Sequence, residues 1–186
     1  MPTEDIIAEA KQRMKRAAEK LEHEFTTIRT GRASATILDR LKVSYYGSEM
    51  PINQLATVSI PEARLIVITP WDKGSLRAIE KAILTSDLNL TPASDGNVVR
   101  LEIPALTEER RKELARLVSQ KAEDGRVAVR NVRRDANAHI EKLEKSSDVS
   151  EDDVEHAKKE VQDATNAMIK EIDRAAEKKT AEVMEV

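Results

Sequence analysis

Residues 126–136, RVAVRNVRRDA, place four arginines and one acid in a chain whose formal net charge is −3. Guanidinium groups are planar, forked, permanently charged donors, so a run of them matches the oxygens of phosphate. On a helix turning about 100° per residue, Arg133, Arg126, Arg130 and Arg134 follow one another along a single arc. That arc lies beside the apolar positions Val118, Val129 and Ala136, and Asn137 falls within it. An ordinary solvated face sets carboxylates three or four residues from its cations. Arg126 has Glu123 at that spacing, but Arg130, Arg133 and Arg134 have no acid there. Arg126, Arg130 and Arg134 instead stand one turn apart, which costs about 0.2–0.5 kcal/mol per like-charged pair. Two explanations follow. Acids of the next helix, such as Glu155 or Glu160, neutralise the stripe from within, or a phosphate-bearing partner meets it from outside. The choice of arginine throughout, with no lysine from 122 to 141, favours nucleic acid docked at one face.

Other chemistry finds little support. The chain has no cysteine, which excludes disulfides and thiolate metal sites. His23, His139 and His156 lack the HExxH spacing of a metal site and read as surface residues. The glycines stand apart at 31, 47, 74, 96 and 125, so no Gly-rich phosphate loop is present. Tyr45 and Tyr46 are expected side by side in a strand, facing opposite ways, and so form no stacking platform. Trp71 is expected to pack in the core or at its rim. The chain therefore reads as a binding protein rather than an enzyme, with no cofactor and no metal.

The elements that must carry the stripe follow from composition and period. Charged residues make up 35% and aromatic ones 2%, a mixture suited to long helices with narrow apolar seams. Ile7, Met14, Leu21 and Ile28 repeat every seven residues, with Ala18 and Phe25 between them and Lys11 interrupting. A helix is predicted from about 4 to 29, starting at Thr3 and stopping at Gly31. Beyond it, LKVSYYG (41–47), ATVSI (56–60), RLIVITP (64–70) and VVRLEI (98–103) read as strands. SLRAIEKAILTS reads as a helix with Leu76, Ile79 and Ile83 on one face. After Pro104 the helical period returns, opening at Thr107 and running on Ala115, Val118, Ala122, Gly125, Val129, Val132, Ala136, Ile140 and Leu143. A break at KSSDVSEDD leaves Ser150 to cap a last helix on Val154, Ala157, Val161, Ala164, Met168 and Ile172.

The fold class is therefore α+β: a long three-helix bundle drawn from both ends of the chain, with a small mixed module inserted. The bundle takes residues 1–30 and 106–186, and the insertion takes 31–105. Charge is unevenly spread, with 11 basic and 8 acidic residues over 107–145 against 6 and 11 over 150–186. The N-terminus has no continuous apolar run, and no stretch approaches a membrane span, so a cytoplasmic, membrane-free protein is expected.

Seven stretches are familiar: TIRTGRAS (27–34), YYG (45–47), QLA (54–56), AIEKAI (78–83), SDLNL (86–90), LTEERR (106–111) and RVAVRNVRRDAN (126–137). Through them, and through LTEERR and RVAVRNVRRDAN above all, the chain resembles the bacterial ribosome recycling factor family from end to end. The loops around 61–64, 72–75 and 93–97, and residues 144–160, match in character more than identity, so no role is carried over to them.

The resemblance implies an L-shaped molecule: a three-helix bundle and a smaller β/α/β sandwich domain joined by a two-strand hinge at Thr30, Gly31, Arg32, Pro104 and Ala105. It implies a monomer that acts with elongation factor G and GTP to split the post-termination ribosome into subunits, freeing it from mRNA. The bundle would meet the 23S rRNA of the large subunit, and the smaller domain the elongation factor. The family's RNA-contacting arginines fall on Arg133 and Arg130, with Arg111 and Arg29 as further candidates. Arg126 and Arg134 complete the stripe. The competing expectation is a helical rod that binds only proteins, for which the arginines would be dispensable.

Overall fold

The structure is a computed structural model and describes residues 2–146 and 148–185. The chain divides into two compact units, Met1–Arg29 with Thr107–Val186, and Thr30–Leu106.

The first unit consists of helices α1 (Pro2–Thr26), α3 (Glu108–Lys145) and α4 (Glu151–Met184), each packed against the other two. The helix between them in sequence, α2, belongs to the second unit. Side chains cap the two long helices as the sequence predicts. Thr107 accepts from the N–H of Arg110 at 3.2 Å, and Ser150 from that of Asp153 at 3.2 Å. Each satisfies one of the donors that a helix start leaves free.

The seam of α1 runs Thr3, Ile7, Ala10, Met14, Ala18, Leu21, Phe25 and Ile28, all buried. It passes through Ala10 and not through Lys11, because the 3–4 alternation after Ile7 takes the short step first. Lys11 stays exposed and pairs with Glu160 at 2.9 Å. The helix also ends earlier than predicted. Thr27 and Ile28 donate to the carbonyls of Glu24 and Phe25, three residues back, so the last turn tightens.

On α3, Leu114 is buried in place of the expected Ala115, which is half-buried. On α4, Thr165 is buried while Ala164 and Met168 are only partly covered. The Thr165 hydroxyl is accommodated by donating to the carbonyl of Val161 at 2.7 Å. Gly125 of α3 faces side chains of both other helices. A Cβ there would stand 3.0 Å from Leu21 Cδ2 and 3.5 Å from Ile172 Cδ1.

The second unit contains strands β1 (Lys42–Tyr45), β2 (Ser48–Pro51), β3 (Ala56–Glu62), β4 (Leu65–Pro70), β5 (Pro92–Ser94) and β6 (Val99–Glu102), with helix α2 (Leu76–Thr85). β1 and β2 form an antiparallel hairpin, and the other four form an antiparallel sheet in the order β3-β4-β6-β5. Alternation puts Ile66 and Ile68 of β4, and Val99 and Leu101 of β6, into one core with Leu76, Ile79 and Ile83 of α2.

Two strands go beyond the sequence expectation. β2 (SEMP) lacks β-branched residues, and β5 (PAS) is three residues long and opens on a proline. Tyr46 is not in a strand. It takes φ 48° in the β1–β2 turn, and its ring meets that of Tyr45 edge-on at 4.4 Å. Trp71 is 67% exposed and so forms no part of the core. Its indole N–H donates to Thr57 Oγ1 at 3.0 Å.

Candidate nucleic-acid interface

The arginine stripe sits on α3 along its seam with α4, and its members differ sharply in how far their charge is already met. Arg126 is well enclosed, with 23% of its side chain exposed. It donates to Glu123 at 2.8 Å and to Asp173 of α4 at 2.6 Å. The hydrogen bond to Glu123, and then that to Asp173, holds its pKa above the usual guanidinium value although burial works against this. Arg130 reaches the same Glu123 at 3.0 Å. That acid lies seven residues back, two turns along the helix, beyond the three- and four-residue spacing of ordinary helix pairs. Glu123, bonded by Arg126 and then by Arg130, has its pKa lowered.

Arg133 is different. It is half-buried, and its bond is to a neutral amide, Gln162 Oε1 of α4, at 3.2 Å. Arg134 is exposed and makes no ion pair among the described residues. Asp135, the one acid of the segment, is met by Arg13 of α1 at 2.8 Å. Internal neutralisation therefore holds for Arg126 and in part for Arg130, and it fails for Arg133 and Arg134. The acids responsible are Glu123 of the same helix and, across the seam, Asp173 of α4, not Glu155 or Glu160. Glu160 faces Lys11 at 2.9 Å and His156 at 3.3 Å. The positive charge left over lies at Arg133, on the seam against Gln162, and at the exposed Arg134.

Two further expected residues lie elsewhere on this unit. Arg29 follows the end of α1, exposed and without an ion pair among the described residues. Arg111, in the first turn of α3, is half-buried. Its Nε and the Oδ1 of Asn137 are buried polar atoms without a hydrogen-bond partner among the described residues.

The crossing residues are built around the β3–β4 turn. Ala33 N–H donates to the carbonyl of Ala63 at 2.7 Å, and Ile103 N–H to that of Arg64 at 2.8 Å. The entering and leaving segments are thus tied to adjacent residues of one hairpin tip. Gly31 takes φ 74°, a conformation that strains side chains, and a Cβ there would stand 3.1 Å from Leu106 Cγ. Thr30 is half-buried, as are Gly31 and, on the other strand, Ile103, while Arg32 and Pro104 are exposed.

Gln162 and Asp173 are the residues that the sequence does not single out. An acid or an amide on a polar helix face is ordinary until the partner helix is placed against it.

Comparison with known proteins agrees with this architecture. The family model described as "Ribosome recycling factor" matches residues 21–184. A ribosome-recycling factor of Listeria monocytogenes is 52% identical over 184 residues, covering 99% of this chain and 100% of its own length. One from Carboxydothermus hydrogenoformans is 52% identical over 183 residues, covering 98% and 99%. A solution structure of the ribosome recycling factor superposes with TM-score 0.76 at 47% identity, covering 100% of this chain and 99% of that one. A second solved relative is the T. thermophilus factor, described with E. coli elongation factor G bound to the E. coli post-termination complex. It gives TM-score 0.63 at 46% identity, and both chains are fully covered. With the fold and these likenesses in agreement, the chain belongs to the ribosome recycling factor family.

Proposed function

We propose that this factor docks through the α3 seam, with Arg133 and Arg130 foremost and Arg134, Arg126, Arg111 and Arg29 around them, on the 23S rRNA of the large subunit. Its task is ribosome recycling: it binds the post-termination ribosome and, with elongation factor G, splits it into subunits for a new round of translation. GTP is bound and hydrolysed by the elongation factor, and this chain contributes docking and leverage rather than chemistry. It works as a monomer in the cytoplasm. No helix among the described residues is long and apolar enough to cross a membrane.

One observation carries the docking assignment. On that seam Arg133 faces an amide where Arg126, seven residues earlier, faces a carboxylate. Charge that the fold leaves unmet is available to phosphate. Pelleting with 50S subunits at several salt concentrations tests this. A charge-assisted hydrogen bond is worth about 1.5–3 kcal/mol, so Arg133→Ala is expected to weaken binding tenfold or more with an unchanged melting temperature. Arg126→Ala is expected to do the reverse, lowering stability while sparing most of the affinity. Charge reversal of Arg130, Arg133 and Arg134 together should abolish binding. Full affinity after that triple reversal would leave the protein-only rod as the better description.

The five crossing residues, Thr30, Gly31, Arg32, Pro104 and Ala105, are assigned to a hinge. Gly31 supplies a left-handed backbone position, and Pro104 fixes its own φ and keeps Ile103 extended. The hydrogen bonds from Ala33 and Ile103 to one hairpin tip support an arrangement in which the two strands turn together.

A further inference from the structure

We infer that Gln162, backed by Asn166, is a positioning residue for docking: it orients the Arg133 guanidinium while leaving its charge uncompensated. The inference rests on the docking role of Arg133 given above. The guanidinium can only donate, so the Gln162 amide must present its oxygen to it, and it does so at 3.2 Å. The amide nitrogen must then face the other way. It finds Asn166 Oδ1 at 2.9 Å, one turn further along α4. The result is a chain of side chains, Arg133 to Gln162 to Asn166, in which each polar group has one consistent orientation and neither amide carries charge.

The same seam shows what a carboxylate does in this role. Arg126 stands one heptad before Arg133 on the same face of α3, and Asp173 of α4 meets it at 2.6 Å. Glu123 binds it as well, at 2.8 Å. A phosphate would have to compete with both carboxylates for that guanidinium. At Arg133 there is no carboxylate to displace. Gln162 occupies one of five N–H donors, and the guanidinium keeps its full charge. A long cation held in place before binding also loses less rotamer freedom on binding. Of the acids flanking Gln162 on α4, Glu160 is engaged by Lys11 at 2.9 Å, and Asp163 makes no ion pair with Arg133 among the described residues.

The test uses the full-length protein and purified 50S subunits, with affinity measured across a salt series. Gln162→Glu keeps size and hydrogen bonding but adds the charge that Asp173 brings to Arg126. We expect it to bind about tenfold more weakly, with the slope of log affinity against log salt reduced by about 0.7–0.9, one phosphate's worth. Its melting temperature should be unchanged or raised. Gln162→Leu removes the acceptor without adding charge, so a loss of about two- to tenfold with the slope unchanged is expected.

In an Arg133→Ala background, Gln162→Glu should have almost no further effect. If Arg133→Ala alone leaves affinity intact, the docking reading falls. If Arg133→Ala weakens binding but Gln162→Glu does not, the docking reading stands and this inference is overturned. It is overturned equally if Gln162→Glu is as harmful in the Arg133→Ala background as in the parent protein, since it then acts as a stray negative charge near RNA. A parallel drop in melting temperature for both Gln162 variants would make the residue merely structural.

Discussion

Gly125→Ala offers a test of how tightly the bundle is closed. In an exposed helix interior this change stabilises by about 1 kcal/mol, because alanine loses less backbone freedom on folding. Here the new methyl would lie 3.0 Å from Leu21 Cδ2 and 3.5 Å from Ile172 Cδ1. The first contact is about 0.5–1 Å inside the optimum for two carbons. Leu21 is 4% exposed and Ile172 1%, so neither has open space to retreat into. Overpacking of this kind costs about 1–3 kcal/mol, which outweighs the propensity gain. The variant should therefore be less stable by up to about 2 kcal/mol, where propensity alone would make it more stable.

The sign should reverse when space is made. Leu21→Ala by itself costs about 2–5 kcal/mol, and Gly125→Ala added to it should recover about 1 kcal/mol. The assay is urea denaturation followed by far-UV circular dichroism, comparing midpoints at constant m. A Gly125→Ala variant stabilised by about 1 kcal/mol in both backgrounds would refute the close approach of the three helices at this point.

Phe25→Ala should destabilise the bundle by about 3–5 kcal/mol, as truncation of a buried aromatic leaves a cavity. Deletion of residues 1–28 without loss of helical stability would show that α1 is not part of it. Asp95 accepts from Arg100, and then from the N–H groups of Asn97 and Val98, which lowers its pKa from 3.8 to about 2. Its contribution to the β5–β6 turn is thus present above pH 3.8 and lost as pH falls through about 2. Amide resonances of Asn97 and Val98 should follow a midpoint near 2, and a midpoint near 3.8 would refute the hydrogen-bonded cap. An engineered disulfide that locks residues 30–106 to the bundle should spare 50S binding but abolish splitting with elongation factor G and GTP. Splitting at the normal rate by the locked protein would remove rotation at Thr30–Arg32 and Pro104–Ala105 from the mechanism.

Periodicity exposes the long elements because each has one buried stripe and a clear start. Thr107 and Ser150 announce α3 and α4, and the β-branched runs announce β3, β4 and β6. What escapes is short, or is decided by a neighbour. β2 and β5 are held by their partner strands rather than by their own residues. Lys11 stands on a strict seven-residue spacing, whereas the helix takes its short step to Ala10. Tyr46 reads as strand because residue types within the run do not reveal where the turn at Gly47 begins. Within the candidate interface the arginines are visible as a violation of charge pairing. Which of them are neutralised is not, because Asp173 and Gln162 lie far along the chain and meet Arg126 and Arg133 only after α3 and α4 pack.

The bundle is assembled from both ends of the chain, and this imposes an order on its birth. Residues 30–106 are contiguous and can close their sheets and helix as they emerge. Leu21 and Phe25 of α1 are made before them yet must wait, without partners, for α3 and α4. The arginine seam is finished last of all, since Gln162 and Asp173 arrive with the final helix. A partly synthesised chain therefore carries its arginines before it has the α4 side chains that hold Arg126 and Arg133 in place.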